Sequence, residues 1–298
     1  MTFRGGIHAI AFVLAACFVG CGLSLTTTEV GADGGTDAST DSSLDTSVDG
    51  PSLVELEVKA EEGGAKLEVD FVAMGANEDS GKIVALTHES GTASVYELGS
   101  ATPYLTFTTT SAPASLVPYP FPKLPSSKAP ALLFALPANN GLFSVFDDTS
   151  TAAIGGRPET SRVHGSGKRV YLATGFETAT ANGTKIVACP VAFPEDPSCG
   201  TPQVVYDAQE LGGFAVSKNG LLLIGLSGGG ESVRLLAFTR ATLDSAFTTP
   251  KTVLAKPGTL VGAEEIVTVS DDASEVRFRA PCRANTAGAR TCLFTLGR

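Results

Sequence analysis

No tryptophan occurs anywhere in the chain, and there are only five tyrosines. Few aromatic platforms are therefore on offer for stacking against sugar rings. Histidine is almost as scarce: His8 lies in an apolar N-terminal stretch, which leaves His88 and His164. Two histidines exclude a three-histidine metal centre built from this chain alone, and each is expected on the surface or in a turn. Positive charge is short as well. Six of the 31 acids and one of the 21 bases precede residue 53, leaving 25 acids against 20 bases beyond it, and the net charge is −10. This argues against nucleic acid as a partner, because phosphate binding needs a concentrated basic face. Sustained helical periodicity is missing too; "RATLDSAF", from Arg240, allows one or two turns at most.

What the chain does have begins with an export signal. "MTFR" is a short basic start, and "IHAIAFVLAAC" is an apolar run too short to span a bilayer comfortably. "LAAC", Leu14 to Cys17, resembles the lipobox of bacterial lipoproteins, in which the cysteine is acylated and becomes the first residue. "FVGC" offers a second such cysteine at Cys21. Phe18 fits the lipobox less well than Leu14, which favours Cys17. Cleavage there leaves Cys21 unpaired in an oxidising compartment, which favours Cys21. Both stay open, as does a plain secretory signal with incidental cysteines.

Aspartates then recur at 33, 37, 41, 45 and 49. Calcium loops place ligands at alternate positions around a sharp glycine turn, which a four-residue spacing does not reproduce. On a helix the same spacing would stack five like charges on one face. A low-hydrophobicity Asp/Gly/Ser/Thr segment cannot offset its ordering entropy, so residues 21–52 are expected to be a disordered acidic tether. It follows a signal peptide over 1–20, or over 1–16 if Cys17 is acylated.

From residue 53 to 298 the texture is all-β. Short runs such as "LVELEVKA", "KIVALT", "ALLFAL", "KRVYLAT", "GLLLIG" and "EVRFRA" alternate with Gly/Asn/Asp/Ser/Pro turns. Similar strand-turn-strand units start at Val163, Val216 and Val269, 53 residues apart, and "TPYLTF", "TPQVVY" and "TPKTVLA" rhyme at Thr102, Thr201 and Thr249. A recurrence with one offset points to repeats. Looser copies at Glu78 and Ala129 bring the number to five, which suits a β-propeller of five blades with four antiparallel strands each. The last unit has only three strands after residue 263, and "LVELEVKA" at the start is left over to supply the fourth and close the ring.

"FAVSKNGLLLIGLSGGGESVRLLAFTRATLDSAFTTPKTVLA", Phe214 to Ala255, joins a Ser-x-Asn-Gly turn to a tail of "TR" and "LD-x-x-F-x-x-P", and with these motifs it resembles the TolB-like β-propeller repeat found in many predicted lipoproteins of myxobacteria and their relatives. In that family Ser-x-Asp-Gly opens the inner hairpin and a tail of "TR" and "LD-x-x-F-x-x-P" follows. Asn219-Gly220 stands where the family has Asp-Gly, and Thr239, Arg240, Leu243, Asp244, Phe247 and Pro250 match the tail. "SDDASEVRF" keeps Ser270, Asp271 and Asp272 but has Ala273 at the glycine. The resemblance implies a fold and a binding surface more than a reaction.

Cys189 and Cys199 are ten residues apart, as are Cys282 and Cys292. Each pair can close a loop beside a strand as a disulfide. A four-cysteine zinc site is the alternative, disfavoured because there is no C-x-x-C and no nearby histidine.

Catalytic motifs are mostly excluded. "GLSGG", Gly225 to Gly229, has the nucleophile-elbow pattern but no histidine downstream. "HGSGKRV" lacks the first glycine of a phosphate loop and has Arg169 after Lys168 where Ser or Thr is required. "PYPFPKLP", Pro118 to Pro125, reads as a stiff connection. No cofactor is implied. Asp70, Glu78, Asp79, Asp147, Asp148, Asp271 and Asp272 are the candidate acids for a carboxylate-pair hydrolase. Two readings result. One is a non-catalytic propeller held on a cell-envelope membrane, such as the outer membrane, that binds a protein or glycan. The alternative is a propeller glycoside hydrolase or lyase with carboxylates in an axial funnel.

Overall fold

The computed structural model describes residues 56–63, 70–77, 81–118, 130–136, 138, 141–154, 160–166, 169–174, 183–190, 199, 201–229, 232–248, 250–253, 259–283 and 291–298. The expected signal peptide, the tether, Cys17 and Cys21 lie outside the described residues.

Among the described residues, twenty strands form five four-stranded antiparallel sheets, so the fold is a five-bladed β-propeller. The N-terminal strand is β1 (Glu57–Gly63). Blade 1 follows with β2 (Ala73–Asn77), β3 (Lys82–Glu89), β4 (Thr92–Glu97) and β5 (Leu105–Thr108). Blade 2 is β6 (Ser115–Pro118), β7 (Pro130–Leu136), β8 (Gly141–Phe146) and β9 (Thr151–Ala153). Blade 3 is β10 (Arg162–Ser166), β11 (Arg169–Thr174), β12 (Thr184–Pro190) and β13 (Gln203–Ala208). Blade 4 is β14 (Gly213–Val216), β15 (Leu222–Ser227), β16 (Arg234–Thr239) and β17 (Lys251–Val253). Blade 5 has the order β1-β20-β19-β18, made by β18 (Glu265–Val269), β19 (Glu275–Pro281), β20 (Thr291–Gly297) and the N-terminal strand. The leftover segment at the start of the propeller does close the ring, with Glu57 opposite Gly297 and Gly63 opposite Cys292.

The repeat spacing has a structural meaning. Val216 and Val269 each end the innermost strand of their blade, and the next residues, Ser217 and Ser270, close four-residue turns onto Leu222 and Glu275. In blade 3 the inner hairpin is two residues shorter, since Ser166 pairs directly with Arg169. Gly165, rather than Val163, therefore occupies the corresponding level. The "TP" rhyme leads into β5, β13 and β17, the outermost strands, where a proline costs no ladder hydrogen bond.

Blades pack face to face, so inner strands are covered on both sides and read as unbroken apolar runs. Leu222, Ile224 and Leu226 of β15 face blade 5, while Leu223 faces blade 3, following the two-residue period. The outer strand β5 instead alternates buried and exposed. Among the described residues five apolar clusters result, one in each seam between adjacent blades. "RATLDSAF" forms turns rather than helix. No helix among the described residues is long and apolar enough to cross a membrane.

Candidate functional site: the propeller axis

The innermost strands β2, β6, β10, β14 and β18 surround the axis, and glycine lets them approach closely. A Cβ on Gly75 would lie 1.8 Å from the Leu116 carbonyl oxygen, and one on Gly165 would lie 2.4 Å from Val117 Cγ1. The axial cavity lined by Ser115, Arg162, His164 and Glu265 measures about 10 Å³, room for a single water at most.

Glu265 begins β18 and is buried. Its Oε2 accepts from the Met74 amide at 3.2 Å and lies 3.4 Å from Arg279 Nε. Arg279 also pairs with Glu264 at 2.8 Å and donates to the Phe71 carbonyl at 3.0 Å. The network ties blade 5 to the entry of blade 1. Burial pushes the Glu265 carboxyl up from its ordinary value, opposed by the guanidiniums of Arg279 and Arg162. Sequence reasoning missed this acid. The available signal was a glutamate opening a mostly apolar strand, "EIVTV", across from a strand carrying Arg277 and Arg279.

His164 is the second buried titratable group on the axis. The sequence places it on the surface or in a turn, but it is 5 % exposed, in the middle of β10. Its position on the innermost strand, where blades crowd, is the reason. Nε2 lies 3.0 Å from the Val216 carbonyl, so that nitrogen carries the proton and donates. Burial pushes the imidazole down to about 4, partly opposed by that carbonyl. Ser166 donates its hydroxyl to the Ser217 carbonyl next door. His88 is half-buried in β3, with Nε2 3.3 Å from Thr109 Oγ1.

Those of the acids proposed from sequence that are described do not converge. Asp70 is exposed ahead of β2, whereas Asp271 and Asp272 are exposed in the β18–β19 turn, at the opposite end of the innermost strands. Asp147 and Asp148 sit in the exposed β8–β9 turn, where Asp148 accepts from the Ser150 amide at 3.0 Å. Hydrogen bonds from Ser274 and Ser270 hold Asp272 down at about 2, as a turn-closing carboxylate. Glu78 and Asp79 lie outside the described residues. A glycosidase flanks its substrate with two carboxylates; the cavity beside Glu265, about 10 Å³, is smaller than a sugar ring.

"GLSGG" runs from β15 into a tight turn, with Gly228 at φ +88°, rather than into a helix. "HGSGKRV" joins β10 to β11 and likewise opens no helix; its Lys168 lies outside the described residues. Pro118 ends β6, and the remainder of the proline-rich run is outside the described residues. Among the described residues no group of three or more His, Cys, Asp or Glu could hold a metal ion. The four cysteines form two disulfides, Cys189–Cys199 and Cys282–Cys292, which removes them as zinc ligands. Two disulfides point to an oxidising, extracytoplasmic compartment.

No protein-family profile matches the chain, and no curated protein does. Among solved structures it is similar to the hydrazine synthase of Kuenenia stuttgartiensis, at 10 % identity and a TM-score of 0.46, over 77 % of this chain and 64 % of that one. It is similar to the glutaminyl cyclase of Myxococcus xanthus at 12 % identity and a TM-score of 0.45, covering 82 % of this chain and 97 % of that one. It is also similar to the β-propeller domain of Cps50 (Swd1) from Myceliophteria thermophila, at 8 % identity and a TM-score of 0.42, over 76 % and 82 %. The chain spans less than two thirds of the hydrazine synthase chain, and at these identities the likeness is one of fold alone.

Proposed function

We propose that this is an exported, lipid-anchored envelope protein whose non-catalytic propeller binds a protein or a glycan through its rim or one end of its ring. The observation that carries the reading is the filled axis. The described axial cavity measures about 10 Å³ and its carboxylate is held by Arg279 and the Met74 amide, which favours recognition through outer surfaces. The two disulfides agree with export. The lipobox-like cysteines Cys17 and Cys21, followed by the acidic tether over residues 21–52, supply an anchor and a spacer of about 30 Å root-mean-square reach.

The test is the intact mass of the protein extracted from native membranes, measured with and without reduction. A diacylglyceryl or triacyl group on Cys17 or Cys21 is expected, with two hydrogens gained per disulfide. An unlipidated mature chain would remove the anchor. The absence of catalysis is checked by incubating the full chain with a panel of aryl glycosides; turnover abolished in Glu265→Gln would replace the binding module with a hydrolase.

A further inference from the structure

We infer that β1 is a load-bearing strap, placed so that tension from the N-terminal side is carried along the β1–β20 ladder while the ring stays closed. The physiological need for such a strap rests on the anchored reading above; its mechanics do not.

The chain path sets the direction of load. The inner strand β18 runs from the end of the ring holding Glu265 to the end holding the turn at Asp271 and Asp272. β19 returns, and β20 runs forward again, ending at Gly297. Because β1 is antiparallel to β20 with Glu57 opposite Gly297, it starts at the hairpin-turn end and finishes at the other end, with Gly63 opposite Cys292. A pull on the segment before Leu56, opposed at the far end of the ring, is therefore directed along the strand. Antiparallel hydrogen bonds lie perpendicular to the strands, so this pull loads the whole ladder in shear. A pull opposed at the hairpin-turn end, sideways from β1, would open the same ladder one bond at a time.

Two features fix the ends of the strap. Leu56, immediately before β1, is fully buried in the cluster between blades 4 and 5 and must leave it before β1 can slide. At the other end, Cys292, the partner of Gly63, is disulfide-bonded to Cys282 beside the end of β19. The covalent link stops β20 from sliding on β19, passing load from the strap into the body of blade 5. Among the described residues the other edge of β1 pairs with no strand, so within the described sheet β20 resists the pull.

The test is single-molecule pulling on the full chain carrying Cys17→Ser and Cys21→Ser, with one handle at the N-terminus and a second, reduction-stable thioether handle at an introduced cysteine. Glu210→Cys places the second handle on an exposed residue between β13 and β14, at the far end of the ring. Ala101→Cys places it on an exposed residue between β4 and β5, at the hairpin-turn end. We expect rupture force to be at least about twofold higher through Glu210→Cys than through Ala101→Cys, given shear against peeling of one ladder. Reduction should lower the first value toward the second. Equal forces in the two directions would overturn the strap. If the directional difference stands while native protein proves unlipidated, the strap survives and the anchored reading falls.

Discussion

Arg240 Nη2 donates to the Tyr171 hydroxyl at 2.9 Å, joining blade 4 to blade 3 across their seam. The same guanidinium donates through Nε to the Gly220 carbonyl at 2.6 Å and through Nη1 to that of Leu243 at 3.0 Å, and it lies 4.6 Å over the Phe247 ring. Phe247 in turn donates its amide to the Val205 carbonyl of β13 at 2.8 Å, and Gln203 donates to the Asp244 carbonyl at 2.6 Å. The "TR…LD…F" tail is thus a clip that covers part of the outer strand of the preceding blade, a position where an open edge invites association. Arg240→Ala should cost about 3 kcal/mol, because several acceptors lose a charged donor at a buried site. Tyr171→Phe should cost about 1 kcal/mol. Urea midpoints at constant m-value measure both; losses of equal size would mean that the Tyr171 bond alone carries the clip.

The close approach of innermost strands predicts a size-specific rescue. Gly165→Ala would drive a methyl to 2.4 Å from Val117 Cγ1, and overpacking of this kind costs about 1–3 kcal/mol. Val117→Ala should recover part of that loss in the double variant, a coupling that additive effects cannot give. Gly75→Ala has no such remedy, since its methyl would meet the Leu116 backbone oxygen at 1.8 Å. Thermal melts of the four proteins decide the matter: additive losses at Gly165 and Val117 would mean that the axis relaxes around the methyl.

Much of this fold is legible in the chain, because a propeller repeats one local problem five times. Short apolar runs, turn residues and the rhyme at Thr102, Thr201 and Thr249 each report on a single blade, and the missing fourth strand of the last blade directs attention to the N-terminus. Axial chemistry is a different matter. Glu265 and His164 acquire their character from the convergence of five strands distant in sequence, and a lone glutamate or histidine in a strand carries no mark of that convergence. Ala273 shows the limit from the other side. It stands where the matching turn of blade 4 has Gly220 and still adopts φ +57°, close to the +75° of that glycine, so the same turn geometry is reached without the residue that favours it.

Each disulfide should be worth a similar amount for a shared reason. Cys189–Cys199 and Cys282–Cys292 both close a loop of sequence separation 10, for which restriction of the unfolded chain gives about 3 kcal/mol. Replacing either pair with alanines should lower the urea midpoint by a comparable margin, and reduction of the native protein should approach the sum. A single pair carrying the whole effect would show that native packing around that bridge, rather than unfolded-chain entropy, sets its contribution.

Acid stability should turn on His164. Its imidazole is pushed down to about 4 by burial, against about 6.5 in an unfolded chain. The unfolded state therefore binds the proton first as pH falls. The stability that His164 contributes is complete above pH 6.5 and declines as pH falls to about 4, a total of about 3 kcal/mol. Glu265 acts in the opposite sense. Its raised carboxyl contributes stability that is complete below the ordinary carboxylate value and is lost as pH rises through its folded value, so it offsets part of the acid loss. His164→Gln keeps an N–H donor for the Val216 carbonyl and removes the titration. The variant should flatten the fall in unfolding free energy between pH 6.5 and 4, as followed by urea melts across that range. An unchanged slope would place the acid sensitivity of the fold in other groups and leave His164 as a packing residue of the axis.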